Sequence, residues 1–160
     1  METWLKRNLE TQGYCLSDAD HRALRVGLRF ATALCFPIVA TGLALESVPL
    51  LLVTVAIAAA AGFTSRHPFD YLWNHAVRYA FRAAPLPPNP RRRRDAFKVG
   101  TGMLAVVVAL FAMGAATAAL IMGGFMLAAC ASVTVLNLCL PSETLALIER
   151  IRNSPKTRPA

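Results

Sequence analysis

Residues 99–140 read VGTGMLAVVVALFAMGAATAALIMGGFMLAACASVTVLNLCL, about 42 positions without one charged side chain. As a single helix at about 1.5 Å per residue the run would be about 63 Å long, twice the roughly 30 Å hydrocarbon core of a bilayer. It must therefore fold back on itself. Lipid offers no partner to a free backbone N–H or C=O, so both limbs must be helical. The small residues from Gly114 to Thr117 place the break there, giving spans 99–116 and 119–140, with Gly123-Gly124 as the alternative turn.

Two shorter uncharged tracts lie upstream, Phe30 to Leu45 and Ser47 to Phe63. Each has fewer than the roughly 20 residues a spanning helix needs, so the flanks must join in. The first span is expected over 26–45, with Arg29 snorkelling its guanidinium to the headgroups. The second is expected over 47–63. The chain of 160 residues is 56% hydrophobic yet carries 17 Lys and Arg, and the two kinds are segregated. Cations precede or open the first span, fill the interval from Arg66 to Lys98, and follow the fourth span as Arg150, Arg152, Lys156 and Arg158. With four spans all 17 lie on one side, which the positive-inside rule makes cytoplasmic. Glu46 is the only charge expected outside.

The fold class expected is an all-α membrane protein with four transmembrane helices in two hairpins. An N-terminal segment 1–25, a connector 64–98 and a C-terminal segment 141–160 belong to the cytoplasm. The first span begins too far along the chain for a secretory leader. Leu34 stands where a lipoprotein signal ending at Cys35 needs a small residue, so the first helix is expected to stay as an anchor. The net charge of +8 and pI near 10.1 would suggest nucleic acid in a soluble chain. Here topology accounts for both, and no nucleic-acid partner is expected. The partners expected are membrane lipids, through the anionic headgroups of the cytoplasmic face, and a membrane protein or further copies of the chain.

Ser17-Asp18-Ala19-Asp20 reads as a helix N-cap, with the helix running unbroken into the first span. In the connector, His67-Pro68-Phe69-Asp70 opens a helix over 68–82, with Pro in the first turn and an acid near the N-terminus. Phe69, Leu72, Trp73, Ala76, Val77, Ala80 and Phe81 recur at helical spacing, while Asp70, Asn74, Arg78 and Arg82 step by four along a polar stripe. Such a helix belongs in the membrane interface, with Trp73 and Phe81 at acyl depth and Arg78 and Arg82 towards lipid or a partner. Pro85, Pro87, Pro88 and Pro90 end it and form a stiff extended stretch before the arginine run Arg91, Arg92, Arg93 and Arg94, a Pro/Arg-rich stretch over 85–94 in all. Each of these arginines would gain on the order of 1 kcal/mol beside anionic lipid. His67, Asp70 and His75 form a polar cluster of weak spacing, better read as caps than as metal ligands; no metal and no cofactor is expected.

Inside the spans the polar residues are few, with no carboxylate and no histidine, which argues against an ion-coupled transporter. Gly124, Ala128 and Ser132 make a small-residue ridge, as do Ala58 and Gly62, and close helix packing is their expected use. The four cysteines show no metal-binding spacing. Cys15 and Cys139 should face the cytoplasm, and Cys35 and Cys130 lie near mid-membrane. Cys139 sits where the fourth span emerges and a last amphipathic helix, roughly Ser142 to Arg152, begins. A helix N-terminus lowers a thiol's pKa whereas burial raises it; burial is expected to win, so Cys139 is read as an ordinary structural thiol and no catalytic residue is expected, with Cys139 the one candidate thiol should the helix terminus prevail.

The stretch His67 to Asp70, Tyr71 to Tyr79, Pro85 to Pro90, Arg94 with Phe97, and Asn137 to Ser142 resembles a small bacterial membrane-protein family catalogued as domain of unknown function four-three-nine-five. The resemblance covers roughly Arg25 to Ser142 and implies placement in the bacterial inner membrane. Many members carry a second cysteine three positions after the one matching Cys139; Ser142 stands there in this chain, which weakens a dithiol redox reading. The expected function is that of a non-enzymatic membrane component, an accessory or structural subunit of a larger assembly or homo-oligomer. The alternatives are a thiol- or sulfur-handling protein acting through Cys139, and an oligomeric pore or transporter component.

Overall fold

The computed structural model describes residues 2–153, so the cations Lys156 and Arg158 lie outside the described residues. All regular structure among the described residues is helical. Helix α1 (Glu2–Thr11) ends at Gly13, whose φ of +95° turns the chain back. Helix α2 (Asp18–Leu24) starts at Ser17, whose Oγ accepts from the Asp20 N–H at 3.2 Å. A tightened turn at Arg25 and Val26 separates it from α3 (Gly27–Ala44). Both turn residues keep right-handed helical dihedrals, so α2 and α3 run on as one helix of 27 residues, Asp18–Ala44.

Glu46, at φ +50°, reverses the chain, and Ser47 then caps α4 (Val48–Phe63). The connector helix follows as α5 (Pro68–Leu72), a π turn (Trp73–Val77) and α6 (Arg78–Ala80). It is bent by 79° from α4. Helix α7 (Arg91–Ala112) contains the whole arginine run, so the extended part of the connector stops at Pro90. Helix α8 (Ala116–Leu136) begins after a turn in which Gly114 has φ +77° and the Ala115 N–H reaches Leu110 O at 2.9 Å. The fold-back thus lies at Met113 to Ala115, and Gly123-Gly124 is interior to α8. That helix stops short of 140 because Asn137 takes the left-handed conformation, φ +54°, and the Leu138 N–H bonds back to Ser132 O at 3.2 Å. Helix α9 (Leu140–Asn153) then starts anew with Pro141 in its first turn.

Among the described residues three helices are long and apolar enough to cross a membrane, Asp18–Ala44, Arg91–Ala112 and Ala116–Leu136; α4 makes a fourth when joined to the bent connector helix. Helices α3, α4, α7 and α8 pack as a ring, each against two neighbours. Gly42 lets α3 approach Leu51, where an added Cβ would be 2.7 Å from that side chain, and Gly62 lets α4 approach the backbone of α7. The ring encloses a core of Val39, Leu43, Leu51, Leu104, Val107 and neighbours. A second core of Leu9, Tyr14, Leu24, Leu28, Trp73 and Leu86 joins α1, the start of α3 and the connector.

Candidate functional site

The connector helix docks on the protein through Trp73, which is 1% exposed. Its indole fills a notch left by Gly27, where an added Cβ would lie 2.8 Å from Trp73 Cε2. Phe30 and Phe81 flank the ring at 5.1 and 5.9 Å, and Nε1 donates to Ala84 O at 3.4 Å. The expectation that Trp73 reaches acyl chains is therefore corrected: a glycine notch buries the ring inside the chain. Phe81 is 62% exposed and Leu72 is also exposed, so they, not Trp73, form the open face of this helix. Across from them Asn74 holds the loop, accepting from the Leu86 N–H at 2.7 Å.

His67 and Asp70 do come together, as a capping box. The Phe69 N–H donates to His67 Nδ1 at 3.1 Å, and the His67 N–H donates to Asp70 Oδ2 at 2.9 Å. Because Nδ1 accepts, the proton of the neutral ring is assigned to Nε2. That nitrogen lies 3.8 Å from Cys35 Sγ, to which it can donate only a long, weak bond. Burial, helped by the nearby Arg93 cation, pushes the His67 pKa down to about 4, so the ring is neutral at pH 7. Asp70 is pushed upward by burial, against the His67 N–H, Arg93 and Asn89, which hold its charged form. Asn89 Nδ2 donates to Asp70 Oδ2 at 3.2 Å, and Tyr14 donates its hydroxyl to Asn89 Oδ1 at 2.8 Å. His75 is exposed and takes no part.

Arg93 is the second correction, since it faces neither lipid nor a partner. It is 6% exposed, donates to Leu28 O at 2.9 Å and lies over the rings of Tyr14 and Phe97. No carboxylate of the described residues lies within ion-pair distance of it. The other basic residues of the connector divide. Arg91 and Arg82 are exposed. Arg92 reaches inward to Glu149 at 2.6 Å, and half-buried Arg78 bonds Asn74 O and the Tyr79 hydroxyl. The Nε of half-buried Arg94 has no hydrogen-bond partner among the described residues. The Nε of half-buried Arg29 donates to Asn137 Oδ1 at 3.0 Å and so ties α3 to the end of α8.

Between the ring helices and this polar network lies a cavity of about 130 Å³. Five sulfur-bearing side chains line it: Cys35, Cys130, Cys139, Met103 and Met126. His67 and Arg93 also line it, and Arg93 is the only charged residue of the lining among the described residues. Cys139, half-buried just before α9, accepts from the Glu143 N–H through its carbonyl at 3.0 Å. Among the described residues no three His, Cys, Asp or Glu groups are placed to hold a metal ion.

Residues 25–150, well over half of the chain, match the family described as Domain of unknown function (DUF4395). The chain belongs to this family. No curated protein and no solved structure matches it. In this DUF4395 chain the gathering of Cys35, Cys130 and Cys139 has no counterpart in sequence spacing, since α3 and α8 meet only in the fold. The buried role of Arg93 does have a signal. Once α7 is started at Arg91, the residues Arg93, Ala96, Phe97, Gly100 and Leu104 fall on one helical face, and all of them line the cavity.

Proposed function

We propose that the chain is a non-enzymatic component of the bacterial inner membrane. It crosses the bilayer four times in two hairpins, with both termini and the connector in the cytoplasm, and serves as an accessory or structural subunit of a larger membrane assembly or homo-oligomer. One observation carries the assembly reading. The small-residue ridge of α8 is turned outward at Gly124 and Ala128, and a Cβ added at Gly124 meets nothing within 4 Å. By contrast the adjacent Gly123 already packs on Leu43 inside the bundle. Small residues on a lipid-facing surface permit close approach of another helix, the main source of association where the hydrophobic effect is absent. Arg82 and Arg91, exposed at the connector, suit anionic headgroups.

The test is the mass of the particle extracted from native membranes directly into lipid nanodiscs. More than one chain, or a stoichiometric partner, is expected, and Gly124→Leu should reduce the particle to a single chain. A wild-type particle of one chain alone would overturn the reading.

A second reading, sulfur handling, is favoured by the cavity, which sets Cys139 on one space with Cys35 and Cys130. The pH dependence of alkylation of Cys139, in a variant lacking the other cysteines, tests it. Half-maximal reactivity well below pH 7 supports it, and an ordinary thiol profile counts against it.

A further inference from the structure

The residues that line the cavity are mixed in type, but their polar groups are engaged elsewhere. Thr32 and Thr54 return their hydroxyls to the backbone, donating to Arg29 O and Leu50 O at 2.9 Å. Gln12 Nε2 donates to Asn8 O and Asn137 O. Arg93 is held by Leu28 O and the rings of Tyr14 and Phe97, and the His67 ring lies between the Phe69 N–H and Cys35 Sγ. What faces the space is carbon and sulfur. A buried water needs about two to four polar partners, and these walls offer next to nothing of the kind. The cavity is a slot along the helices: its lining on α7 runs from Arg93 to Leu104, about 16 Å at about 1.5 Å per residue. Val39, Leu104 and Met126 of the ring core close the end far from the connector. On α7 and α8 the wall residues Gly100, Met103, Ala129 and Val133 are only half-buried, so the open side is the seam between these two helices.

We propose that the slot holds the end of one acyl chain of a bilayer phospholipid, entered through the seam between α7 and α8, with the methyl end towards Val39 and Met126. Its volume of about 130 Å³ is comparable to engineered apolar cavities that bind benzene, so it admits a segment of chain and not a whole lipid. An apolar void destabilises a fold in proportion to its volume, and filling it with hydrocarbon recovers the lost contacts. In a bilayer the filler at hand is the acyl chain, which lies along the helices as the slot does. The thioethers of Met103 and Met126 adapt to an irregular chain and are polarisable enough to hold it by dispersion. This occupant rests on the membrane placement proposed above, and it requires neither assembly nor a reactive Cys139.

The test is photolabelling of the full chain in nanodiscs containing a phosphatidylcholine with a diazirine near the end of one acyl chain, followed by mapping of the labelled residues. Labels are expected at Cys35, Cys130 and Met126 in the slot, and at Ile121 and Phe125, which are exposed on α8 and meet bulk lipid. Gly100 has open space where its Cβ would be, so Gly100→Leu fills the slot from a residue that packs on nothing else. It should remove the interior labels, leave those at Ile121 and Phe125, and hold or raise the thermal midpoint. Ala129→Leu, from the facing helix, should do the same and serves if the first variant does not fold. Outer labels without interior ones, or interior labels that survive both substitutions, would overturn the proposal and leave the membrane placement standing. No label at any of these residues would overturn the placement as well. Interior labelling by a diazirine-bearing short-chain alcohol but not by the lipid would mean a small soluble occupant, and would equally overturn the proposal.

Discussion

The connector helix and the C-terminal helix α9 are both short, both amphipathic and both follow an apolar helix, α4 and α8 respectively, yet they treat their apolar faces in opposite ways. The connector turns its largest side chain, Trp73, into the Gly27 notch. Helix α9 turns Ser142 and Ala146 inward and leaves Leu140, Leu147, Ile148 and Ile151 exposed. An apolar stripe shows that a face needs covering. What covers it depends on whether another element offers a recess, and here a single missing Cβ decides.

The largest effect is expected from closing that recess. Gly27→Leu should be favourable for helix formation by about 1 kcal/mol, so any loss of stability measures the lost dock. Trp73→Ala empties the notch and should cost about 3–5 kcal/mol, as large-to-small changes at buried aromatics do. Unfolding titrations of both variants in mixed micelles check this. If Gly27→Leu proved neutral or stabilising, the notch would not be what holds the connector.

A smaller effect should separate the two helices by pH. The folded pKa of His67, about 4, lies below the ordinary 6.5, so between these values the unfolded chain binds the extra proton and acidification destabilises the fold. The loss begins as pH falls through about 6.5 and is complete near 4; its size is on the order of 1–3 kcal/mol. Asp70 acts in the opposite direction, since its raised pKa favours the fold at acid pH and that gain is lost as pH rises through the folded value. The thermal midpoint should fall from pH 7 to pH 5 in the wild type and fall less in His67→Gln. Dissociation of the connector should accompany it, with α9 unaffected. An equal fall in both proteins would remove His67 as the cause.

The helices were legible because charge and its absence are one-dimensional signals: the uncharged run 99–140 requires a fold-back wherever its neighbours lie, and small residues mark the place. Boundaries were less so. Arg91 to Arg94 were read by charge as a run facing anionic lipid or a partner, although their helical phase with Phe97 and Gly100 places Arg93 inside. Local order in α8 yields at Asn137 to a left-handed turn whose side chain and carbonyl are engaged by Arg29 and Gln12, partners more than 100 residues away. The capping pair His67 and Asp70 was readable from adjacent residues. The notch and the sulfur-lined cavity were not, because each joins helices distant in sequence and neither changes composition or period.

The smallest effect on stability, and the sharpest test of the contrast, lies in α9. Leu140, Leu147, Ile148 and Ile151 fall within one arc of the helix, and the opposite arc is fixed to the protein by buried Ser142 and Ala146 and by the Glu149 pair with Arg92. A helix so fixed cannot rotate its apolar arc inward, and the arc is expected to face lipid at the interface. Ile148→Ala should change the unfolding free energy by less than about 0.5 kcal/mol, since the side chain gains nothing from the bundle. A spin label at residue 148 should nevertheless be reached by lipid-soluble oxygen and shielded from an aqueous nickel complex, and a label at exposed Arg82 should show the reverse. Equal aqueous access at both positions would mean that α9 stands free of the bilayer. Its open arc would then have to meet a protein partner, and the difference between the two helices would be one of assembly and not of membrane depth.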